Sequence, residues 1–356
     1  MKLRGAIVGL GTIALRAHLP GWRDRRDVEI VAVTDAYPAR RGEAGTLLPG
    51  ARWYESAAEL MAGEDLHFVD ICTPPSSHAG LIRAALDRGL HVLCEKPLVC
   101  SLADLAAVGR HASASGRVLH TVHNWHHAPI IRRTRALLRD GAIGRIKRVV
   151  WQTLRTRPAA VAEAGGQNWR VDPTVAGGGV LSDHGWHVFY LLRRWMGGGP
   201  TSISATLEQR RFTELAVEDT ATLRLTFPGA TAEVLLTWAS DARCTWAELT
   251  GTEGSIRLED GTLVVSRRGR EHPEQRWPCP PALSDGSYHP EWFGRVADSF
   301  MAAVKGSRRR AENLAEASLC VTLEALARES SRRGGQPLPL SPAPLPVPMS
   351  TAGLST

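Results

Sequence analysis

Lysine is scarce in this chain. It stands only at positions 2, 96, 147 and 305, so that all but four of the 43 basic residues are arginine. Arginine effectively never loses its proton in proteins, whereas the pKa of a lysine amine responds readily to burial. A lysine beside a suspected site is therefore a candidate for proton chemistry.

The sequence also lacks a long apolar run and a paired cysteine motif. No stretch approaches 18 consecutive apolar residues, which excludes an obvious membrane-spanning helix. The six cysteines are scattered without a C-x-x-C pair, which is typical of a reduced cytoplasmic protein. The apolar segment after Lys2 and Arg4 resembles a signal peptide, but Gly9 and Gly11 interrupt it, so we expect a buried strand.

Length and charge set further limits. With 356 residues, 43% of them hydrophobic and 22% charged, the chain is long enough for two globular domains. The net charge of +7 is spread along the sequence. An anionic cofactor and a solvated surface account for it more simply than nucleic acid does, and no membrane partner is expected.

The order of apolar segments predicts two kinds of sheet. Over residues 1–123, short apolar strands alternate with helices, which predicts an α/β domain with a parallel sheet. Over 124–335, helices flank consecutive strands joined by tight turns, which predicts an α+β domain with a mostly antiparallel sheet. A Pro-rich tail over 336–356 is expected to be disordered.

A glycine-rich turn follows the first predicted strand, in the order Gly9, Leu10, Gly11, Thr12, Ile13, Ala14. Glycines at these positions allow a tight turn and a close approach to a pyrophosphate, while a helix N-terminus faces the phosphate charge. The motif predicts dinucleotide binding by Gly9, Gly11, Thr12 and Ile13.

Asp35 ends the second predicted strand, where a ribose-binding acid belongs. A carboxylate there repels a 2′-phosphate, which favours NAD over NADP. Arg40 and Arg41 nearby could reach such a phosphate, so NADP remains open. Asp35 could also serve only as a turn or helix-capping residue.

Lys96 lies in the segment Cys94-Glu95-Lys96-Pro97, directly after a predicted strand of the parallel sheet. Ligands of open α/β sheets bind at the carboxyl ends of the strands. Lys96 is therefore a candidate for proton chemistry, although it could equally be a surface lysine.

Three consecutive glycines, 177–179, precede Asp183 and His187. The glycines could bring a helix N-terminus close to a ligand. Asp183 and His187 are spaced by four and so lie on one helix face, where a carboxylate could orient a histidine general base. A salt bridge or a metal site is the alternative, but no third ligand is evident.

A histidine cluster follows the fifth strand. It comprises His120, His123, His126 and His127, with Asn124 and Trp125 among them. These side chains could ligate a metal, but the spacing is not closed by cysteine elsewhere. We expect them to line a polar substrate cleft, and we predict no metal.

Taken in order, these motifs resemble the glucose–fructose oxidoreductase/inositol dehydrogenase (Gfo/Idh/MocA) family over about residues 3 to 335. The series also includes Thr73-Pro74-Pro75-Ser76-Ser77-His78 and Glu95-Lys96-Pro97. The resemblance implies a Rossmann domain, a second domain with a large open sheet, and a homodimer or homotetramer formed through that sheet. It further implies hydride transfer between NAD(P) and a secondary alcohol or ketone of a sugar, aminosugar or cyclitol.

The resemblance also assigns site residues. Lys96, Asp183 and His187 occupy the family's catalytic positions. Further cofactor contacts are implied for these residues: Thr73, Pro74, His78, Glu95, Lys96 and Asn124. Substrate contacts are implied, beside the catalytic residues, for His126, Trp169, Arg170 and Tyr190.

Two departures from the family pattern concern the substrate. Tyr190 replaces an acid often found three residues after the catalytic histidine, and Asn124-Trp125-His126 replaces Asn-x-Arg. No specific polyol can therefore be transferred from the family. A redox-neutral glycoside-cleaving enzyme and a catalytically silent dinucleotide-binding regulator are the alternatives on the same fold.

Overall fold

The computed structural model describes residues 2–160, 168–269, 274–307 and 309–340, which form two compact units. The first unit contains 2–122 and the described part of 297–318, and the second contains the described parts of 123–296 and 319–340. The sequence-based division assigns 297–318 to the second domain, whereas its contacts group it with the first unit. No helix in the described ranges is long and apolar enough to cross a membrane.

The first unit is built on a sheet of six parallel strands in the order β3-β2-β1-β4-β5-β6. The strands are β1 (Leu3–Val8), β2 (Val28–Thr34), β3 (Arg52–Trp53), β4 (Phe68–Ile71), β5 (His91–Cys94) and β6 (Leu119–Thr121). Their interiors are almost wholly buried, as expected for strands covered on both faces. The predicted parallel α/β sheet is confirmed.

Helices connect these strands. They are α1 (Leu19–Arg23), α2 (Arg40–Leu47), α3 (Ala57–Gly63), α4 (His78–Asp87) and α5 (Leu102–Ser115). Ser101 caps α5 by accepting a hydrogen bond from the Asp104 N–H, and Gly116 ends it in the left-handed conformation. The rings of Trp22, Phe68 and Phe300 meet with centroids 5.0 to 6.3 Å apart and form the aromatic centre of this unit.

The second unit contains a sheet of nine strands in the order β14-β13-β12-β11-β7-β10-β9-β8-β15. Only β7 and β10 pair in parallel, so the prediction of a large, mostly antiparallel sheet is confirmed. The strands are β7 (Ile146–Leu154), β8 (Ser202–Glu208), β9 (Thr220–Phe227), β10 (Ala230–Thr237), β11 (Cys244–Gly251), β12 (Gly254–Glu259), β13 (Thr262–Arg267), β14 (Glu274–Pro278) and β15 (Leu338–Pro339).

The remaining helices are α6 (Pro129–Arg139), α7 (Pro173–Ala176), α8 (Trp186–Met196), α9 (Pro290–Val304) and α10 (Arg309–Arg332). A wide π-helical turn over Leu181–Gly185 leads into α8. A Cβ placed on Gly185 would lie 3.4 Å from Leu236, so the start of this helix packs on β10.

The first residues of the tail are ordered, although the sequence predicts disorder for the whole tail. Leu338 and Pro339 form β15, which pairs with β8 and so forms one edge of the sheet. The rest of the tail, from 341 onward, lies outside the described residues.

Candidate active site

The glycine turn after β1 is tight. Gly9 has φ +92°, and its N–H donates to the Thr34 carbonyl at 2.9 Å. A Cβ at this position would lie 2.9 Å from the backbone of Cys72 and Thr73, so only glycine fits. The chain then enters a helix, whose first bond runs from the Leu15 N–H to the Gly11 carbonyl at 3.1 Å. A dinucleotide-binding loop requires this local structure.

Asp35 lies at the end of β2, beside that turn. Its Oδ2 accepts a hydrogen bond from the Leu10 N–H at 2.5 Å, and its Oδ1 accepts one from the Tyr37 N–H at 2.7 Å. The carboxylate therefore acts as a turn residue and also holds the glycine loop. It remains half-buried, at the edge where a ribose is expected.

Arg40 and Arg41, which the sequence offers as phosphate ligands, both face acids. An Arg40 guanidinium nitrogen lies 3.1 Å from Glu43, and one of Arg41 lies 3.8 Å from Glu55. Both pairs are exposed to solvent at least in part, and such pairs contribute little to stability. Each arginine is nevertheless paired with a carboxylate.

Two loops at the same sheet edge are joined by His78. Its ring is fully buried, with Nε2 2.8 Å from the Thr73 carbonyl oxygen and Nδ1 2.9 Å from that of Pro97. Burial lowers the pKa of His78, while its contacts with the Thr73 and Pro97 carbonyls act in the opposite direction. Thr73 and Pro74 are half-buried next to it. Cofactor contacts of all three residues stay predictions.

Lys96 follows β5 and is half-buried, and the peptide bond between Lys96 and Pro97 is cis. The Lys96 backbone N–H donates to Oε2 of Glu95 at 2.9 Å. The other carboxylate oxygen of Glu95 lies 3.0 Å from Nε2 of His18, inside the unit. Glu95 thus supports the turn that carries Lys96, and its predicted cofactor contact stays a prediction.

In the second unit, His187 lies in a buried aromatic environment on α8. Its ring stacks on Trp125 with centroids 4.4 Å apart and planes 7° apart. Its Nδ1 lies 2.9 Å from the hydroxyl of Tyr190, which also accepts the Trp125 N–H at 3.1 Å. These contacts fix the plane of the imidazole and direct Nε2 away from Tyr190.

Asp183 lies in the π-helical turn, four residues before His187. Its Oδ2 is 3.5 Å from Nε2 of His184, and both side chains are largely buried. His187 lies in the α-helix that follows this π-helical turn. Such turns occur frequently at functional sites.

The glycine run before Asp183 serves packing. A Cβ on Gly178 would lie 1.6 Å from Nη2 of Arg328, and one on Gly179 would lie 2.0 Å from the Glu218 carbonyl oxygen. Oε1 of Glu218 accepts the N–H groups of Gly179 and Leu181 at 3.0 and 3.2 Å. The helix N-terminus predicted to approach a ligand is therefore occupied by a carboxylate of the chain itself.

The other predicted site residues of the second unit are half-buried. The ring of His126 lies 4.5 Å from that of Tyr190, and Arg170 stacks over Trp169 at 4.3 Å. Oδ1 of Asn124 is buried and has no hydrogen-bond partner among the described residues. A buried amide oxygen of this kind fits a site that a ligand completes.

Each unit therefore gathers its own set of predicted residues. The first unit presents Gly9, Asp35 and Lys96 after three strands of one parallel sheet, so they meet at its carboxyl edge. The second groups His126, His187 and Tyr190 around Trp125. Sequence reasoning missed His18 and Asp70, which bond to each other at 2.8 Å. An acid at position 70 within an otherwise apolar strand was the available signal.

A Rossmann unit with this glycine turn, together with a large open sheet in a second unit, defines a dinucleotide-dependent oxidoreductase. Residues 3–123 match the family model for the NAD-binding Rossmann fold of this oxidoreductase family, and residues 131–257 match the GFO/IDH/MocA C-terminal domain. The chain belongs to the Gfo/Idh/MocA family of NAD-binding oxidoreductases, which confirms the resemblance seen in the sequence. The matched family model describes an NAD-binding Rossmann fold, and the Gly9 turn and Asp35 fit that cofactor.

Named relatives act on sugars and cyclitols. D-apiose dehydrogenase of Paraburkholderia graminis is 34% identical over 278 residues, covering 75% of this chain and 70% of that protein. Inositol 2-dehydrogenase of Rhizobium meliloti is 29% identical over 208 residues, 58% of each chain. An oxidoreductase from Agrobacterium radiobacter, solved with NAD⁺, L-tartaric acid and magnesium, has TM-score 0.82 and 24% identity, with 95% of this chain and 98% of that one covered.

Proposed function

We propose that this protein transfers a hydride between NAD and a secondary alcohol or ketone of a sugar, aminosugar or cyclitol. The observation that carries the proposal is the carboxyl edge of the first sheet, where the Gly9 turn, Asp35 and Lys96 follow β1, β2 and β5. A nucleotide site and a candidate proton-handling amine thus share one edge. The sugar and inositol dehydrogenases among the relatives support the substrate class.

NAD is the preferred cofactor in this proposal. The Asp35 carboxylate stands at the ribose position and repels a 2′-phosphate, while Arg40 and Arg41 face Glu43 and Glu55. Strong NADPH binding would require one of these arginines to leave its acid. We expect NADH to bind at least tenfold more tightly than NADPH, a difference of about 1.4 kcal/mol.

The protein groups have separate roles in the reaction. When bound, NAD supplies the carbon that accepts or returns the hydride. His187 removes the hydroxyl proton in oxidation at Nε2, since its Nδ1 faces Tyr190, and returns it in reduction. Asp183, one helical turn earlier, stabilises the charged ring. Nζ of Lys96 hydrogen-bonds to the reacting oxygen and stabilises alkoxide charge as it develops.

Substrate hydroxyls are recognised by His126, Trp169 and Arg170 in this proposal. Arg170 and Trp169 form a stacked pair that is half-buried and offers both an aromatic edge and guanidinium donors. Tyr190 is fully buried with its oxygen bonded to His187 and Trp125, so we assign its contribution chiefly to holding His187.

Homodimers or homotetramers form through the open face of the second sheet. On this face Val150 and Leu235 are half-buried between polar side chains of β7, β9 and β10. Light scattering of the wild type should give a multiple of 38.6 kDa. Leu235→Arg should reduce it toward the monomer, whereas Arg224→Ala on the same face should not.

The cofactor and the reaction are tested in sequence. Parallel titrations with NADH and NADPH, followed by energy transfer from tryptophan, measure the two affinities. A screen of polyols with NAD⁺ then follows the absorbance of NADH. Net NADH formation supports the dehydrogenase, product formation without net NADH indicates glycoside cleavage, and binding without any turnover indicates a regulator.

A further inference from the structure

A buried charged cluster lies beneath Lys96 in the first unit. It consists of His18 at the end of the π-helical turn Ala14–His18, Asp70 in the middle of β4, and Glu95 after β5. His18 is 1% exposed and Asp70 0%. Charged side chains are this deeply buried only when they are paired, so the contacts among them decide their role.

Both ring nitrogens of His18 face carboxylates. Nδ1 lies 2.8 Å from Oδ2 of Asp70, and Nε2 lies 3.0 Å from Oε1 of Glu95. A neutral imidazole carries one N–H, whereas two such bonds to ionised carboxylates need both nitrogens protonated. The two contacts match an imidazolium held between two carboxylates.

Each of the two carboxylates also accepts a hydrogen bond from another residue. The Trp22 indole N–H donates to Oδ2 of Asp70 at 2.6 Å, and the Lys96 backbone N–H donates to Oε2 of Glu95. Burial is the largest single influence and lowers the pKa of His18, but the attraction and hydrogen bond of Asp70, together with the contacts of Cys72, outweigh it, so the pKa lies well above 6.5. Burial raises the pKa of Glu95, but its hydrogen bond and attraction to His18, together with the contribution of Lys96, outweigh burial and hold the pKa below its usual value.

Cys72 also faces His18. Its Sγ lies 3.2 Å from Nδ1 of His18, and burial raises the pKa of the thiol to about 12. The thiol is therefore protonated and adds no charge to the cluster.

Hydrogen bonding explains these distances better than a shared metal ion does. His18, Asp70 and Cys72 offer ligand atoms within 4.8 Å of one another. Bonds of about 2.0–2.3 Å at tetrahedral angles would separate such atoms by roughly 3.3–3.6 Å. Nδ1 of His18 is only 2.8 Å from Asp70 and 3.2 Å from Cys72.

We propose that His18 is a positioning residue: held between Asp70 and Glu95, it fixes the turn Glu95-Lys96-Pro97 and so the Lys96 amine. This rests on the proposed role of Lys96. His18 ends the helical turn that follows the glycine loop, so one side chain links the nucleotide loop to the Lys96 turn.

Two variants test the hydrogen bonds of His18 to Asp70 and to Glu95 one at a time. In His18→Asn the amide reaches the place of Nδ1 and keeps a donor for Asp70, while in His18→Gln it reaches the place of Nε2 and keeps a donor for Glu95. We expect kcat to fall about 10- to 100-fold in His18→Asn and less in His18→Gln, with NADH affinity within twofold of wild type. His111→Asn, on α5, is the matched control and should retain wild-type kcat.

A second readout does not depend on turnover. Because lysine occurs at only four positions, reductive ¹³C-methylation gives a simple NMR spectrum in which Lys96→Arg assigns the Lys96 signal. We expect this signal to shift in His18→Asn, to shift less in His18→Gln, and to stay in place in His111→Asn. The signals of Lys2, Lys147 and Lys305 should not move.

The proposal is overturned if the Lys96 signal is unchanged in His18→Asn, or if both His18 variants lose kcat only in proportion to their loss of thermal stability. A bound metal ion in the wild type that is lost in His18→Asn would also overturn it. If the wild type oxidises no polyol, the proposed function fails, and the NMR comparison still decides whether His18 positions Lys96.

Discussion

The two units bury a histidine in opposite ways. His18 lies between two carboxylates and is held as a cation, with Nδ1 2.8 Å from Asp70 and Nε2 3.0 Å from Glu95. His187 stacks on Trp125 and places Nδ1 2.9 Å from the neutral hydroxyl of Tyr190. Both rings are buried, at 1% and 4% exposure, so burial alone does not separate their roles.

The difference shows that the groups around a buried histidine distinguish a structural role from a role in proton transfer. A carboxylate on each side stabilises the imidazolium and resists loss of its proton. A stacked indole and a neutral phenol hold the plane of a ring without fixing its charge, which suits a group that gains and loses a proton in each cycle. We therefore expect substitutions around the two histidines to have different effects on activity and on stability.

The largest effect is expected at His187. His187→Ala should lower kcat by about 10²- to 10⁴-fold, because the proposed general base is lost. Steady-state kinetics measure this, with NADH affinity as the control that should stay near wild type. Near-normal turnover would remove His187 from the mechanism.

Asp70 should dominate stability in the first unit. Asp70→Asn removes one charge from a buried ion pair and should cost about 3–5 kcal/mol in the free energy of unfolding. Urea denaturation measures the change, and the exposed Asp65→Asn is the matched control, within about 0.5 kcal/mol of wild type. Equal stability of the two variants would contradict a charged His18.

Tyr190→Phe tests the neutral partner of His187. The variant keeps the ring but leaves the buried Trp125 N–H without its acceptor, which should cost about 1–3 kcal/mol of stability. We expect kcat to fall less than in His187→Ala and KM for the polyol to change little. Tyr37→Phe is the control, since that side chain is 44% exposed. A loss confined to KM would instead favour direct substrate contact by Tyr190.

The smallest expected effect is a dependence of the free energy of unfolding on pH. His18 has a folded pKa well above 6.5, so its stabilisation is complete below pH 6.5 and is lost as pH rises through the folded pKa, by at most about 1.4 kcal/mol per pH unit. His18→Asn should remove this slope. His78 and His127, whose pKa values burial lowers, act in the opposite direction and only below pH 6.5. A wild-type slope that persists in His18→Asn would contradict the prediction.

Strands with a regular pattern could be read from the sequence. Apolar runs or strict alternation mark the faces of His91–Cys94, Ile146–Leu154 and Thr220–Phe227, so these strands can be recognised in the sequence. The edge strands β3 and β14 carry no such signal. β3 has two residues and β14 is mostly exposed, so neither carries an apolar face.

Site residues were predictable where chemistry and sequence spacing coincide. Gly9, Asp35 and Lys96 each follow a strand, and their order alone indicates a shared edge. The reason for the glycine run at 177–179 could not be read in this way, since Arg328 and Glu218 lie far away in the chain. His18 and Glu95 are separated by 77 positions, and only the folded chain brings them together.

The cluster around His18 also has an evolutionary consequence. A neutral residue at position 18 leaves the carboxylates of Asp70 and Glu95 without their cation, and one at position 70 or 95 leaves a ring N–H of His18 without its carboxylate, so single steps away from the set are costly. Substitutions at these positions should spread through related sequences as a group. A chimera of two relatives joined between residues 18 and 70 should fold only when both parents carry compatible members of that group.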